Sequence, residues 1–213
     1  MGVIRILVRL MLMPIVVIVD IVASRELTSR DREKLVSRIE SLVNEFNDKW
    51  RSELVAKGAI TGGDSVEITS KSWIPIIHLL HSLLLINNMF RVGIGAGKIT
   101  LIREYADQCD GPAFWKAREA MNAAKSQDLP IIFSIDKTAS RREGEDVKKL
   151  VLAYTLLLKM SSSQRKYCFD YIWENKKITE IARKYGTSKS NISISIKKSL
   201  CRSLKSVIFS DFE

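Results

Sequence analysis

The chain has 213 residues, 46% of them hydrophobic and 27% charged, with a formal net charge of +10. That composition excludes a disordered or low-complexity polymer and allows a sizeable core, enough for one ordinary domain and a small appendage. The positive excess points to an anionic partner, nucleic acid or a phosphorylated small molecule, and it is concentrated at one end: residues 161–213 hold 11 Lys/Arg against 5 Asp/Glu.

At the N-terminus Arg5 and Arg9 precede an apolar run from Leu10 to Val19 that imitates a signal peptide. The run is too short to span a bilayer and ends at Asp20, so it reads as a leader before Met13, consistent with an early start codon, followed by a buried strand. No other stretch suits a membrane. Ser29 can cap a helix carrying Leu35, Ile39, Leu42, Val43 and Phe46 to about Trp50. Residues Ala59 to Ile68 read as two short strands pinched at Gly62-Gly63, with Asp64 at the tight point. Ser72 opens a second helix, with Pro75 in its first turn, that is apolar nearly all round and therefore buried. His78 and His81 lie three apart on it, but no acid or cysteine at useful spacing accompanies them as a metal site.

Phe90 to Ile99 is a strand with glycines at alternate positions. A phosphate loop is ruled out, because that pattern needs glycine at Val92 and Ser or Thr at Ile99. Alternating glycines predict instead a ligand, a helix or another chain close to the backbone. Pro112 starts a helix bearing Phe114, Ala117, Arg118, Met121 and Ala124, and Leu129 to Ile135 form a last strand. Residues 136–160 read as a polar joint followed by a connecting helix from about Val147 to Met160. The order strand, helix, hairpin, helix, strand, helix, strand predicts an α+β sandwich of the ferredoxin-like or palm kind over residues 1–135. The three cysteines, Cys109, Cys168 and Cys201, lack metal-ligand spacing and leave an odd one over, which fits buried thiols in a reducing cytosol.

Two acids carry the candidate chemistry. If the first strand and the hairpin pair side by side, Asp20 and Asp64 converge at one sheet edge, where two like charges stay ionised with a cation between them, and Mg²⁺ is the natural counterion. The plainer readings are a capping or turn acid at Asp20 and an ordinary Gly-Gly-Asp turn at Asp64.

With Asp20-Ile21-Val22-x-Ser24, Gly63-Asp64, Arg91-Val92-Gly93-Ile94 and Gly111-Pro112-Ala113 through Arg118 in this order, the first 135 residues resemble class III nucleotidyl cyclases and their palm-fold relatives. A nearer resemblance is to the SatD family, through Asp20-Ile21-Val22-Ala23-Ser24-Arg25, Gly63-Asp64 and Gly111-Pro112-Ala113-Phe114. The cyclase resemblance implies that Asp20 and Asp64 hold Mg²⁺ against a nucleotide, that the turn from Ile21 through Ser24 to Arg25 offers N–H groups to phosphate, and that Arg118 neutralises charge from a second subunit in a homodimer. Alone, Arg118 is equally a solvated helix arginine. The chain departs from the cyclase pattern where Phe114 stands in place of the expected transition-state asparagine, Ile60 in place of a purine-selecting lysine, and Ser65-Val66 where the diguanylate cyclase motif would continue.

In residues 161–213, Ser161 caps a helix through Tyr167, Cys168, Tyr171 and Ile172, a short helix covers Ile178 to Tyr185, and a third starts at Lys189 with Ile192, Ile196, Leu200, Leu204 and Val207 at near four-residue spacing. Ile178-Thr179-Glu180-Ile181-Ala182 followed by Tyr185-Gly186-Thr187-Ser188 resembles the helix-turn-helix of sigma factor region 4 and of LuxR-type regulators. In such a unit Ser188 caps the recognition helix, Lys189, Ser190, Asn191, Ser193 and Ser195 face base edges in double-stranded DNA, and Arg183, Lys184, Lys197, Lys198 and Arg202 suit phosphates. A protein-docking module with a solvated basic face is the alternative. The whole reads as a cytoplasmic DNA-binding regulator with a metal-dependent nucleotide-binding domain; the rival is a divergent nucleotidyl cyclase or nucleotide hydrolase regulated by its tail.

Overall fold

A computed structural model describes residues 14–22, 27–62, 65–86 and 90–210. The chain runs β1 (Ile15–Ile21), α1 (Ser29–Lys49), β2 (Leu54–Thr61), β3 (Ser65–Ser70), α2 (Trp73–Leu84), β4 (Phe90–Ala96), α3 (Pro112–Gln127), β5 (Ile131–Ile135) and α4 (Arg141–Lys159), then α5 (Ser162–Ile172), α6 (Ile178–Lys184), α7 (Lys189–Lys198) and α8 (Cys201–Phe209). The fold is α+β, and the predicted order of elements through β5 holds. The sheet order is β2-β3-β1-β4-β5, antiparallel at every seam except β4 with β5.

Strand β1 lies at the centre of this sheet, which explains its unbroken β-branched run. Ile15, Val17, Val19 and Ile21 pack on one face in a cluster with residues of α1, α2 and α4. Val16 and Ile18 pack on the other with Ala113, Phe114, Ala117 and Met121 of α3. A strand covered on both faces has no polar side to show in its sequence. Helix α1 is capped by Thr28, whose hydroxyl accepts from the Asp31 N–H at 3.2 Å, one residue ahead of the predicted cap.

The alternating glycines of β4 are answered by α3. A Cβ on Gly95 would lie 2.1 Å from the Ala113 carbonyl oxygen, and one on Gly93 2.5 Å from the Met121 nitrogen. The helix backbone therefore rests on the strand backbone, with Ala113, Ala117 and Ala124 fully buried along the seam. On the opposite face α2 is buried along its whole length, matching its all-round apolar sequence.

Two predicted boundaries move. Helix α4 begins at Arg141, not Val147, because Ser140 and Glu143 form a capping box in which the Ser140 N–H donates to Glu143 Oε2 at 2.5 Å. Its Val147, Leu150, Tyr154 and Leu157 are fully buried, and the same apolar cluster continues through Cys168, Ile181, Ile192 and Ile208. The third tail helix does not run on to Val207. Leu200 is left-handed (φ 55°) and 55% exposed, and α8 restarts so that Cys201, Leu204 and Ile208 face inward instead of Leu200 and Val207.

Candidate functional site

Strand register places the first group. Asp20 is opposite Ser65 on β3 and Arg91 on β4, and Ile18 is opposite Glu67. Directly opposed residues project from the same face of a sheet, so Asp20, Ser65, Glu67 and Arg91 share the face covered by α3. Asp64, Ser24 and Arg25 lie outside the described residues; Ser65, next to Asp64 in sequence, is the residue in register with Asp20. Ile21, another phosphate-site candidate, ends β1 opposite Phe90 with its side chain buried.

Among the described residues Lys125, Arg91 and Arg118 each meet an acid of the chain. Lys125 Nζ lies 3.1 Å from Asp20 Oδ1, and Asp20 is only 16% exposed. Arg91 pairs with Asp128 at 2.7 Å. Arg118 donates to Asp110 Oδ1 at 3.2 Å, the same oxygen that accepts from the Trp115 indole at 3.0 Å. The Gly111 backbone N–H, with help from Arg118 and Trp115, holds the Asp110 carboxyl below the usual range. Glu67 goes the other way. Burial pushes its carboxyl up, the Arg118 charge pulls it down and Asp107 pushes it up again, and its Oε2 is buried without a hydrogen-bond partner. Sequence reading missed Glu67 and Lys125, although two-residue spacing from Ser65 and seven-residue spacing from Arg118 set each beside a residue that mattered.

This donor set can be tested against Mg²⁺. The ion holds most of its water and takes one or two carboxylates. Of the predicted pair the described residues contain Asp20, whose carboxylate already has an ammonium in the position of a counter-cation; an incoming ion must displace Lys125. No group of three or more His, Cys, Asp or Glu suited to a metal occurs among the described residues.

The tail presents a second group. Gly186 turns the chain between α6 and α7 with φ 61°, where an added Cβ would meet nothing within 4 Å; the glycine serves the backbone angle and not a close contact. Ser188 caps α7 by accepting from the Asn191 N–H at 3.1 Å, and Asn191 Nδ2 donates to Thr187 at 2.8 Å. Ile181, Ala182, Ile192 and Ile196 hold the two helices together. Outward from them Ser188, Lys189, Ser190, Asn191, Lys197, Lys198, Arg183 and Arg202 are exposed, with Ser193 and Ser195 partly so.

Lys184 differs from the other predicted phosphate contacts. It pairs with Asp170 Oδ1 at 2.8 Å, as does Lys176. Burial opposes the charged form of Asp170, yet bonds from Lys176, Lys184 and Tyr185 outweigh it and hold its carboxyl below the usual range. Asp170 thus ties α5 to α6, a role no sequence motif announced.

Cys109, Cys168 and Cys201 are free and buried, as expected. No helix among the described residues is long and apolar enough to cross a membrane. Among curated proteins, none matches the chain. The family model of SatD matches residues 14–207, most of its length, and the chain belongs to the SatD family.

Proposed function

We propose that this SatD-family chain is a cytoplasmic, homodimeric DNA-binding transcription regulator whose sheet-bearing part binds a nucleotide with Mg²⁺. One observation carries the DNA reading: α6, the Gly186 turn and the Ser188-capped α7 leave a basic and hydroxyl-rich helix face exposed. It supports a helix-turn-helix reading, in which the second helix enters the major groove, its first turns read base edges and flanking cations meet phosphates. Arg183, Lys189, Lys197, Lys198 and Arg202 make no ion pair among the described residues, so they meet phosphate without first releasing an acid.

The nucleotide reading rests on topology. The order β2-β3-β1-β4, all antiparallel, with α1 and α2 as crossovers, supports reading this part as a split βαβ sandwich of the palm kind. The register that sets Ser65 against Asp20 is the pairing such a site needs. Asp20 with Asp64 would hold Mg²⁺, which neutralises phosphate charge, and Ile21, Ser24, Arg25 and Arg118 would contact the phosphates.

A second reading, a nucleotide-processing enzyme, is favoured by Glu67, a carboxylate with an unpartnered oxygen in a charged setting that suits a proton acceptor. Against turnover stands Phe114, an apolar, fully buried residue four before Arg118 that offers no donor to a transition state.

Fluorescence anisotropy of a labelled random-sequence duplex, titrated with the purified chain with and without Mg²⁺ and ATP or GTP, tests the proposal. Binding of the duplex is expected, with an affinity that nucleotide changes in the wild type and leaves unchanged in Asp20→Asn. Absence of duplex binding under all conditions would overturn it, and nucleotide turnover abolished by Asp20→Asn would move it to the second reading.

A further inference from the structure

The sheet has two edges, and the fold treats them differently. At the β2 edge the register slips between Leu54 and Ala56 and again between Ala56 and Ala59, and Lys57 sets a charge on the strand. The segment at Glu104 and Tyr105 lies alongside, the Glu104 carbonyl accepting from the Lys57 N–H at 2.9 Å. Bulges, a lysine and a covering segment are the usual means by which an edge is kept from pairing with another chain. The β5 edge has none of them. Leu129 to Ile135 contains no charged residue, its one proline precedes the strand, and its pairing with β4 runs without a shift from Ile131 to Ile135.

The bonds to β4 fix which backbone groups are left over. The Val92 N–H donates to the Pro130 carbonyl and the Asp136 N–H to the Ala96 carbonyl, both at 2.9 Å, so the even-numbered residues of β5 face β4. The N–H and C=O groups of Ile131, Phe133 and Ile135 point the other way, and among the described residues they have no partner. Helix α3 does not cover them. Seated on Gly93 and Gly95 of β4, it lies one strand spacing, about 4.8 Å, back from the edge. On the opposite face of the sheet Phe133 is 41% exposed.

These outward groups are symmetrical about Phe133. We infer that β5 is the homodimer surface: it pairs antiparallel with β5 of a second copy, Phe133 opposite Phe133 across a two-fold axis and Ile131 opposite Ile135, so that two sheets become one and every outward N–H and C=O is bonded. The inference rests on the homodimeric part of the function proposed above and gives it a surface; it does not depend on DNA or nucleotide. Charge favours a second copy as the occupant. The chain carries +10, yet beside β5 Arg91 pairs with Asp128 at 2.7 Å and Lys116 with Glu119 at 2.6 Å, while the charges of Lys116 and Lys137 bear on Asp136. Two copies therefore meet here without uncompensated like charge, and antiparallel alignment sets the Lys137 end of one strand beside the Asp128 end of the other.

Sedimentation velocity of the full chain over about 1 to 100 µM, in parallel with cross-linking, tests the inference. The wild type is expected to sediment as a dimer at the upper concentrations. Phe133→Lys sets like charges directly opposite each other and should weaken the dimer about tenfold or more, with the far-ultraviolet dichroism kept because the position is exposed. Opposed Cα atoms in such a pair lie about 5.5 Å apart, within reach of a disulfide. Phe133→Cys should therefore cross-link two copies in oxidised glutathione, while Ile102→Cys, 56% exposed on the loop before Glu104, should not; Cys109, Cys168 and Cys201 are buried. A monomer at every concentration would overturn both the inference and the homodimer. A dimer that Phe133→Lys leaves intact, or Phe133→Cys cross-linking no faster than Ile102→Cys, would overturn the inference alone. If the lysine variant fails to fold, the two cysteine variants decide.

Discussion

The two places where this chain gathers positive charge treat it in opposite ways. On the sheet face Lys125, Arg91 and Arg118 each meet an aspartate of the chain itself, at 3.1, 2.7 and 3.2 Å. On the tail, Lys189, Lys197, Lys198 and Arg202 point outward and form no ion pair among the described residues. An anion arriving at the sheet face must compete with carboxylates already in place, whereas one arriving at the tail meets cations that no described carboxylate pairs. Net charge alone hides this distinction, which depends on where the acids fall.

The comparison breaks most visibly if α3 is lifted from the sheet, because its seat on β4 is what carries Arg118 and Lys125 to their acids. Gly95→Val places a side chain where even a Cβ stands 2.1 Å from the Ala113 carbonyl oxygen, and a loss of about 3 kcal/mol or more is expected in urea denaturation. Gly186→Ala, in open space but at φ 61°, should lose only about 1 kcal/mol. Equal effects at the two glycines would contradict the close helix–strand seam.

A separate readout is the response to acid of the contact between α2 and α5. Burial pushes His81 down to about 4 and His78 to about 3, so the folded chain keeps both rings neutral while the unfolded chain takes up protons from about pH 6.5. The unfolded state then binds more protons, and stability falls as pH falls from about 6.5 toward 4, by as much as about 1.4 kcal/mol per pH unit for each ring. The Asp170 carboxyl is held below the usual range, so its contribution is present above the unfolded carboxyl pKa and fades only at lower pH, outside this window. Urea midpoints that stay constant from pH 7 to pH 5 would be incompatible with two buried neutral imidazoles.

The smallest effect sharpens the sheet-face side of the comparison. Asp20→Asn removes the acid beside Lys125, whose side chain is about half exposed, and such pairs weigh little. A stability change below about 1 kcal/mol is expected in the same denaturation assay, with no change in duplex affinity measured without nucleotide. A collapse of the fold in this variant would make Asp20 a structural charge and remove it from the ligand reading.

Much of this arrangement was legible in the sequence where a local rule had one solution. The run of β1 and the Gly186–Ser188 turn each named their environment, because a buried strand and a capped turn demand particular residues, while the glycines of β4 named a close approach and left open whether a ligand, a helix or another chain makes it. What escaped depends on partners far along the chain. Lys125 gave no sign that it would reach Asp20, since the pairing follows from how α3 crosses the sheet. The early start of α4 was hidden because Arg141 to Asp146 is polar, and only the Ser140–Glu143 box marks the boundary. The break at Leu200 was masked by an apolar series that continues through it, with the left-handed residue itself exposed. Nor did His81 announce that it would accept from Trp173 and dock the tail on α2.

The most direct test of the central claim is the salt dependence of duplex binding by the purified chain, compared with a Lys189→Ala, Lys197→Ala, Lys198→Ala variant. If the tail's uncompensated cations meet phosphates, log K falls linearly with log salt in the wild type, and the variant's slope is shallower by about one for each phosphate left without its lysine. An identical slope in both chains, or no measurable affinity for duplex at low salt, would contradict it.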